Sequence, residues 1–186
     1  MKLILASNSP RRKDLLRKAG YEFDIIVSPY EENLTSCDPV FTAETFAFGK
    51  AQAVFDMLCD NSALVVGADT VVYLDGKILG KPENEIEAVK MLKSLSGKTH
   101  KVITGYAVIS KNIVVKGSVK TSVTFNDLSE KLISEYINSG LWQGKAGAYG
   151  IQDPFALVKS YDGSLNNVIG FPTETVFPII DKIMKE

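Results

Sequence analysis

The sequence predicts an α/β protein with a mixed, twisted sheet flanked by helices, in one domain that covers residues 1–186. Stretches rich in β-branched residues, which favour strands, alternate along the chain with stretches in which apolar residues recur every three or four positions, as on one face of a helix. Residues 68–80, "ADTVVYLDGKILG", contain the pair Asp75-Gly76, which is typical of a two-residue turn between antiparallel strands. Because strand–helix units lie on both sides of this hairpin, the sheet should combine parallel and antiparallel pairs.

The first elements are predicted from an apolar run and from capping residues. The segment "KLILA" at 2–6 predicts a short strand, and a helix should follow from Ser9 to about Ala19. Ser9 is a favourable N-cap residue, and Pro10 suits the first helical position. A second strand, "EFDIIV", should run over 22–27.

The middle of the chain predicts a helix and then the hairpin. A polar loop at 28–39 precedes an Ala- and Phe-rich helix from Thr42 to about Leu58. The two hairpin strands should cover 63–74 and 77–80.

The second half continues the same alternation. Its predicted elements are a helix capped by Asn84 and ended by Ser96-Gly97, strands over 100–110 and 113–125, a helix over 128–138, short strands, and a terminal helix that Pro178 should interrupt.

The charge balance argues against several classes of partner. The chain has 21 Lys and Arg against 22 Asp and Glu, for a net charge of -1. A near-neutral chain gives no reason to expect a nucleic-acid or membrane partner, so any cationic site must be a local cluster. No apolar run approaches the roughly 18 residues of a membrane span or resembles a signal peptide, and a cytoplasmic location is expected.

Cysteine and histidine usage excludes some chemistries. Cys37 and Cys59 have no zinc-site spacing and are expected to be free thiols. His100 is the only histidine, which argues against a Ser–His–Asp triad unless that one residue is the base.

The segment "SNSPRRK" at 7–13 places three cations at the start of a helix. Cations are mildly unfavourable there because the helix dipole is positive at that end. One interpretation is an anion site, in which Arg11 and Arg12 add charge for a polyanion such as a triphosphate. The other is a set of solvated surface cations, and this segment alone favours neither. No Walker A loop is present.

Asp69 interrupts an apolar strand, and a buried carboxylate is costly without a cation, a metal or strong donors. In the predicted hairpin register Thr70 faces Lys81, so Lys81 should lie beside Asp69. The pair is expected at an active site or, in the simpler interpretation, as a structural ion pair.

The predicted helix that contains Lys50 places this lysine on its apolar face, where a lysine stem can lie along the surface while its ammonium reaches solvent. The neighbouring Gly49 costs about 1 kcal/mol in a helix interior unless something approaches it closely. In the loop before this helix, Glu31 and Glu32 are either solvated or, for one of them, able to share a divalent cation with Asp69.

Taken together and in order, these segments resemble the Maf family of nucleoside triphosphate pyrophosphatases over nearly the whole chain. The matching motifs are "LASNSPRR", the loop "EE", "GKA", "GADTVV", "GKP", "LSGKTHKVITG", "KAGAYGIQ" and "NNVIGFP". The resemblance implies two lobes around a nucleotide-binding cleft in a Maf/Ham1-like fold. It also implies dependence on Mg²⁺ or Mn²⁺, release of pyrophosphate, and a homodimer.

The resemblance also implies roles for individual residues. Asp69 corresponds to the family's catalytic acidic residue and, with Glu32, would bind the metal. The corresponding substrate-binding residues in the cleft are Ser7, Ser9, Arg11, Arg12, Lys50 and Lys81. Many members read "EKA" where this chain reads "GKA", so Gly49 replaces an acidic residue.

The motifs "SPRR", "GADT" and "AYGIQ" look like the branch of the family that acts on dTTP and UTP, with Arg12, Thr70 and Gln152 at its specificity positions. The alternatives are the same chemistry on a modified nucleotide such as 7-methyl-GTP, or a non-catalytic nucleotide-binding regulator of cell division.

Overall fold

The computed structural model describes residues 1–33, 36–58 and 62–185. The strands are β1 Lys2–Leu5, β2 Asp24–Ile25, β3 Ala63–Leu74, β4 Lys77–Leu79, β5 Thr99–Ile109, β6 Val114–Phe125 and β7 Val158–Asp162. They form one sheet with the strand order β2-β1-β3-β5-β6-β7, and β4 pairs with β3 beside this path. β1 is parallel to β2 and β3, whereas the other pairs are antiparallel, so the sheet is mixed, as the sequence predicted.

The helices are α1 Pro10–Lys18, α2 Pro39–Met57, α3 Glu85–Leu95, α4 Glu130–Asn138, α5 Leu165–Ile169 and α6 Thr173–Lys185. Polar side chains cap several of their N-termini. Asp38 accepts hydrogen bonds from the backbone N–H groups of Val40 and Phe41, so α2 begins three residues before the predicted Thr42. Asn84 caps α3 by accepting from the N–H of Glu87, as predicted.

Three predictions about elements were wrong. The strand predicted over 22–27 is only the two residues of β2, at the edge of the sheet beside the four-residue β1. α5 was missed because a five-residue helix is too short to show a helical period. Pro178 does not interrupt α6, whose buried face of Val176, Ile180 and Ile183 packs on the core.

Cys37 is a free, exposed thiol, and Cys59 lies outside the described residues.

Helices cover both faces of β3, and alternate residues of this strand point to opposite faces. On one face, α2 packs its Ala51 and Val54 against Val65 and its Ala43 against Val71. The other face carries two separate apolar clusters, which are the two predicted lobes. The first lobe joins α1 and α6 to residues such as Leu5, Leu64, Val66 and Phe171, and the second joins α3 and α4 to residues such as Val72, Leu74, Phe125 and Tyr136.

The edge of β3 is open between these lobes. β1 pairs with β3 as far as Val66, and β4 pairs with it from Val72 onward. Within the described chain, residues 67–71 therefore have no strand on this edge, although β5 pairs with them on the other. Asp69 and Thr70 lie in this gap, so the strand edge is open at both residues. None of the helices in the described residues is long and apolar enough to cross a membrane.

Candidate active site

A cleft of about 470 Å³ opens at the gap in the edge of β3. Every site residue predicted from the sequence lines it, together with parts of both lobes. These residues are Ser7, Ser9, Arg11, Arg12, Glu32, Lys50, Asp69, Thr70, Lys81 and Gln152. Chain positions more than 140 residues apart are thus brought into one concave surface.

Arg12 is a buried cation with an exposed fraction of 8%. Its guanidinium donates to Gly170 O at 2.7 Å, Ser7 Oγ at 3.0 Å and Thr70 Oγ1 at 3.2 Å. Burial lowers the pKa of Arg12, while the nearby Asp69 opposes this shift. Because arginine has five N–H donors and stays charged in proteins, two donors remain for a ligand after these three bonds.

Arg11 lies beside Arg12 and donates to Ile169 O at 3.3 Å. Burial lowers the pKa of Arg11, and attraction to Asp153 partly offsets this. Arg11 and Arg12 therefore donate to two successive backbone carbonyls, Ile169 O and Gly170 O, at the C-terminal end of α5. Carbonyls at the end of a helix lack partners within the helix, so they offset the unfavourable placement of cations at the start of α1.

The start of α1 departs from the predicted capping. Ser9 stands at the N-cap position, but its side chain makes no capping hydrogen bond. Its backbone N–H instead donates to Ser7 Oγ at 3.3 Å. The Ser9 hydroxyl is therefore not committed to the helix, and it lies in the cleft with the positive end of the helix.

Thr70 connects the arginines to the interior of the sheet. Its hydroxyl lies 2.9 Å from Thr104 Oγ1, and Thr104 Oγ1 donates to the backbone carbonyl of Asn167 at 2.9 Å. Asn167 is fully buried, and its side chain bonds to the backbone of Val102 and Thr104 and to Thr121. Sequence reasoning missed this network, because its members come from β3, β5, β6 and α5.

Lys50 holds the acidic part of the cleft together. Its Nζ lies 2.5 Å from Glu32 Oε1 and 2.6 Å from Asp69 Oδ1, and its side chain is only 12% exposed. The partner of Asp69 is therefore Lys50, and the predicted pairing with Lys81 was wrong. β4 ends at Leu79, so the hairpin register does not extend to Lys81, whose half-exposed ammonium lies 3.8 Å from Glu32 Oε2.

The two carboxylates respond differently to this common partner. Burial raises the pKa of Asp69, and the attraction of Lys50 only partly offsets it. Burial also opposes ionisation of Glu32, but Lys50, Lys81 and Arg12 more than compensate, so the pKa of Glu32 lies below its ordinary value. The pKa of Glu32 is thus held below the ordinary value of a glutamate, and the pKa of Asp69 is held above the ordinary value of an aspartate.

The donor set fits a divalent metal that completes its coordination with a ligand. In the described residues no group of three or more His, Cys, Asp and Glu side chains could hold a metal alone. Lys50 nevertheless joins the Glu32 and Asp69 carboxylates, and Asp69 Oδ2 accepts no hydrogen bond from the described residues. Mg²⁺ commonly binds one or two carboxylates, waters and the phosphates of a substrate, so two carboxylates suffice.

The opposite wall contains a buried ion pair that sequence reasoning missed. Lys145 Nζ lies 2.6 Å from both carboxylate oxygens of Asp153, which also accepts from Tyr136 Oη and the N–H of Gly150. The two charged side chains are each 11% exposed. Their eight-residue separation fits neither a strand nor a helix, so only the loop conformation reveals the pair. The neighbouring Gln152 is exposed, and its amide makes no hydrogen bond to the described residues.

A sequence profile described as Maf-like protein matches residues 2–183. The chain belongs to the Maf-like protein family. This Maf-like chain is 45% identical over 185 residues to a dTTP/UTP pyrophosphatase of Pyrococcus furiosus, covering 97% of this chain and 94% of that protein. It is 47% identical over 178 residues to a dTTP/UTP pyrophosphatase of Thermococcus kodakarensis, covering 95% and 94% of the two chains.

A solved structure supports the Maf/Ham1-like fold expected for this Maf-like chain. The Staphylococcus aureus Ham1 protein superposes with a TM-score of 0.55 at 11% identity, covering 100% of this chain and 98% of that one. At this identity the likeness concerns the fold alone.

Proposed function

We propose that this chain is a nucleoside triphosphate pyrophosphatase that hydrolyses dTTP and UTP to the monophosphate and pyrophosphate. The observation that carries the proposal is the arrangement of Arg11 and Arg12 across one cleft from two carboxylates joined by Lys50. Relatives about 45% identical over nearly the full length carry the name dTTP/UTP pyrophosphatase. A polyanion with a reactive phosphoanhydride needs this combination of cations and carboxylates.

In the proposed reaction, a water oxygen attacks the α-phosphorus and the bond from that phosphorus to the bridging oxygen of the β-phosphate breaks. Pyrophosphate leaves with the bridging oxygen, and the water contributes one proton to the site. Arg11, Lys81 and the start of α1 bind the phosphates, and the two remaining donors of Arg12 reach the same anion. The charge that develops on the leaving group is thereby neutralised in place.

We assign to Asp69 the role of orienting or deprotonating the attacking water. Burial raises its pKa, and a carboxylate with a raised pKa is a stronger base than an exposed one. Lys50 keeps the carboxylate oriented through its 2.6 Å contact with Oδ1, which leaves Oδ2 for the water or for a metal.

Glu32 and Asp69 would hold Mg²⁺ or Mn²⁺ together with the phosphates of the substrate. When bound, such an ion neutralises phosphate charge and lowers the pKa of a bound water. Lys50, Lys81 and Arg12 stabilise the charge of Glu32 and hold its pKa below the ordinary value.

Gln152 is the residue proposed to select the base. Its amide offers both a donor group and an acceptor, which complement the O4 and N3–H edge that thymine and uracil share. The Lys145–Asp153 ion pair holds the backbone on either side of Gln152. A fixed amide orientation would exclude cytosine, which presents the reversed pattern.

A nucleotide panel tests the proposal. Purified protein with Mg²⁺ or Mn²⁺ should release pyrophosphate, and not orthophosphate, from dTTP and UTP with a higher kcat/KM than from CTP or purine nucleotides. Reaction in ¹⁸O-labelled water should place the label in the monophosphate. Gln152→Glu should reduce the preference, because a carboxylate only accepts.

Other outcomes would overturn parts of the proposal. A clear preference for 7-methyl-GTP would keep the chemistry and reject the substrate. Binding of nucleotides without pyrophosphate release at any metal concentration would favour a non-catalytic regulator. The homodimer and the cytoplasmic location stay predictions.

A further inference from the structure

The ring of Tyr30 packs directly against Gly49, in the interior of α2. A Cβ atom built on Gly49 would fall within 3.0 Å of three atoms of this ring. The ring also lies against Phe46, one turn earlier on the same helix face, with the centroids 6.2 Å apart. Glycine is a poor helix former, and here its lack of a side chain makes room for an aromatic ring.

Tyr30 lies in the segment that carries Glu32. This segment contacts two successive residues of α2, since Tyr30 packs on Gly49 and Glu32 pairs with Lys50. The other hydrogen bonds of residues 28–33 within the described chain are local ones, from the N–H of Tyr30 to Ser28 Oγ and from the N–H of Asn33 to Glu31 O. The packing of Tyr30 and the ion pairs of Glu32 therefore hold the segment against the helix.

We propose that the packing of Tyr30 against Gly49 positions the Glu32 carboxylate in the cleft. Tyr30 and Gly49 are positioning residues, since they act through Glu32. Any side chain at position 49 displaces the ring, and with it the segment that places Glu32 beside Lys50. The effect on catalysis rests on the proposed function, whereas the effect on the segment does not.

The experiment compares Gly49→Ala, Tyr30→Ala, the double variant and Tyr30→Phe in the full chain. The first measurement is hydrogen exchange of the amides of residues 28–33 without nucleotide or metal. Gly49→Ala should raise their exchange rate on the order of tenfold, because the segment opens more often. Tyr30→Phe should exchange like the wild type, because the ring provides the packing.

Thermal denaturation separates this effect from general unfolding. Alanine is a better helix former than glycine, so Gly49→Ala should not lower the Tm even though the segment exchanges faster. The second measurement is pyrophosphate release against Mn²⁺ concentration. Gly49→Ala should raise the Mn²⁺ concentration needed for half-maximal rate and lower kcat/KM about tenfold, because displaced catalytic groups lose effective concentration.

The double variant decides whether the two residues act as one contact. Once Tyr30→Ala has removed the ring, Gly49→Ala should have no further effect on exchange or on kcat/KM. The proposal is overturned if Gly49→Ala leaves the exchange of 28–33 unchanged, or if it has the same effect with and without the ring. If the wild type releases no pyrophosphate, the proposed function fails, while the exchange measurement still decides on the contact.

Discussion

Lys50 Nζ lies 2.6 Å from Asp69 Oδ1, and this ion pair joins the middle of α2 to the open edge of β3. The same ammonium pairs with Glu32, so one lysine with a largely buried side chain contacts both carboxylates of the cleft. A carboxylate in an apolar strand is thereby kept in a defined orientation, although burial raises its pKa.

Asp69→Asn should retain the fold and lose most of the activity. The amide is nearly isosteric and still accepts from Lys50, but it can neither accept a proton from water nor bind a metal strongly. A loss of about 10²–10⁴ in kcat is expected for the removal of a general base. Steady-state kinetics at saturating metal measure this, with the exposed Asp162→Asn as the matched control. A folded Asp69→Asn protein with near wild-type turnover would contradict the assignment.

Arg11→Ala and Arg12→Ala should differ in their effects on stability. Arg11 makes one long contact with the protein, so its loss should mainly raise the KM for dTTP. Arg12 is buried and donates three hydrogen bonds as a charged group. Its loss should therefore also lower the free energy of unfolding by about 3 kcal/mol. Urea denaturation and nucleotide kinetics on both variants test this. Equal stability of the two variants would show that the Arg12 contacts are not stabilising.

Asp153→Ala should be strongly destabilising, because it leaves Lys145 as an unpaired buried cation. Breaking such a pair costs about 3–5 kcal/mol. The double variant Asp153→Leu with Lys145→Met should recover much of this stability, since no buried charge remains. Urea denaturation of the single and double variants is the measurement. The idea would be abandoned if the double variant were less stable than Asp153→Ala.

His100 should make the protein less stable as the pH falls. Its Nε2 lies 2.7 Å from Tyr149 Oη, its Nδ1 has no partner among the described residues, and burial lowers its pKa from 6.5 to about 4. The unfolded chain therefore takes up a proton at His100 before the folded chain does. The stabilising contribution is fully present above pH 6.5 and is lost as the pH falls toward 4.

The expected loss from His100 is about 2 kcal/mol between pH 7 and pH 5. Urea denaturation at the two pH values measures it, with His100→Gln as the reference that lacks the titrating group. Because His100 is the only histidine in the chain, the difference between the two proteins isolates this residue. The same pH dependence in both proteins would rule the residue out as its source.

Local patterns in the sequence determined the mixed sheet and the hairpin register as far as Leu79. Turn residues, caps and apolar periodicity act over a few positions, so they can be recognised without coordinates. Motif resemblance then supplied the residues of the cleft, but not their partners.

Tertiary structure alone decided which groups meet. The packing of helices and loops around β3 determines three of these contacts. They are the Asp69–Lys50 ion pair, the hydrogen bond from Arg12 to Gly170 O, and the Lys145–Asp153 ion pair. Packing also kept α6 continuous through Pro178, because burial of its apolar face outweighs one lost backbone hydrogen bond. Contacts of this kind join positions far apart in the chain, so neither the periodicity of apolar residues nor the spacing of a local motif predicts them.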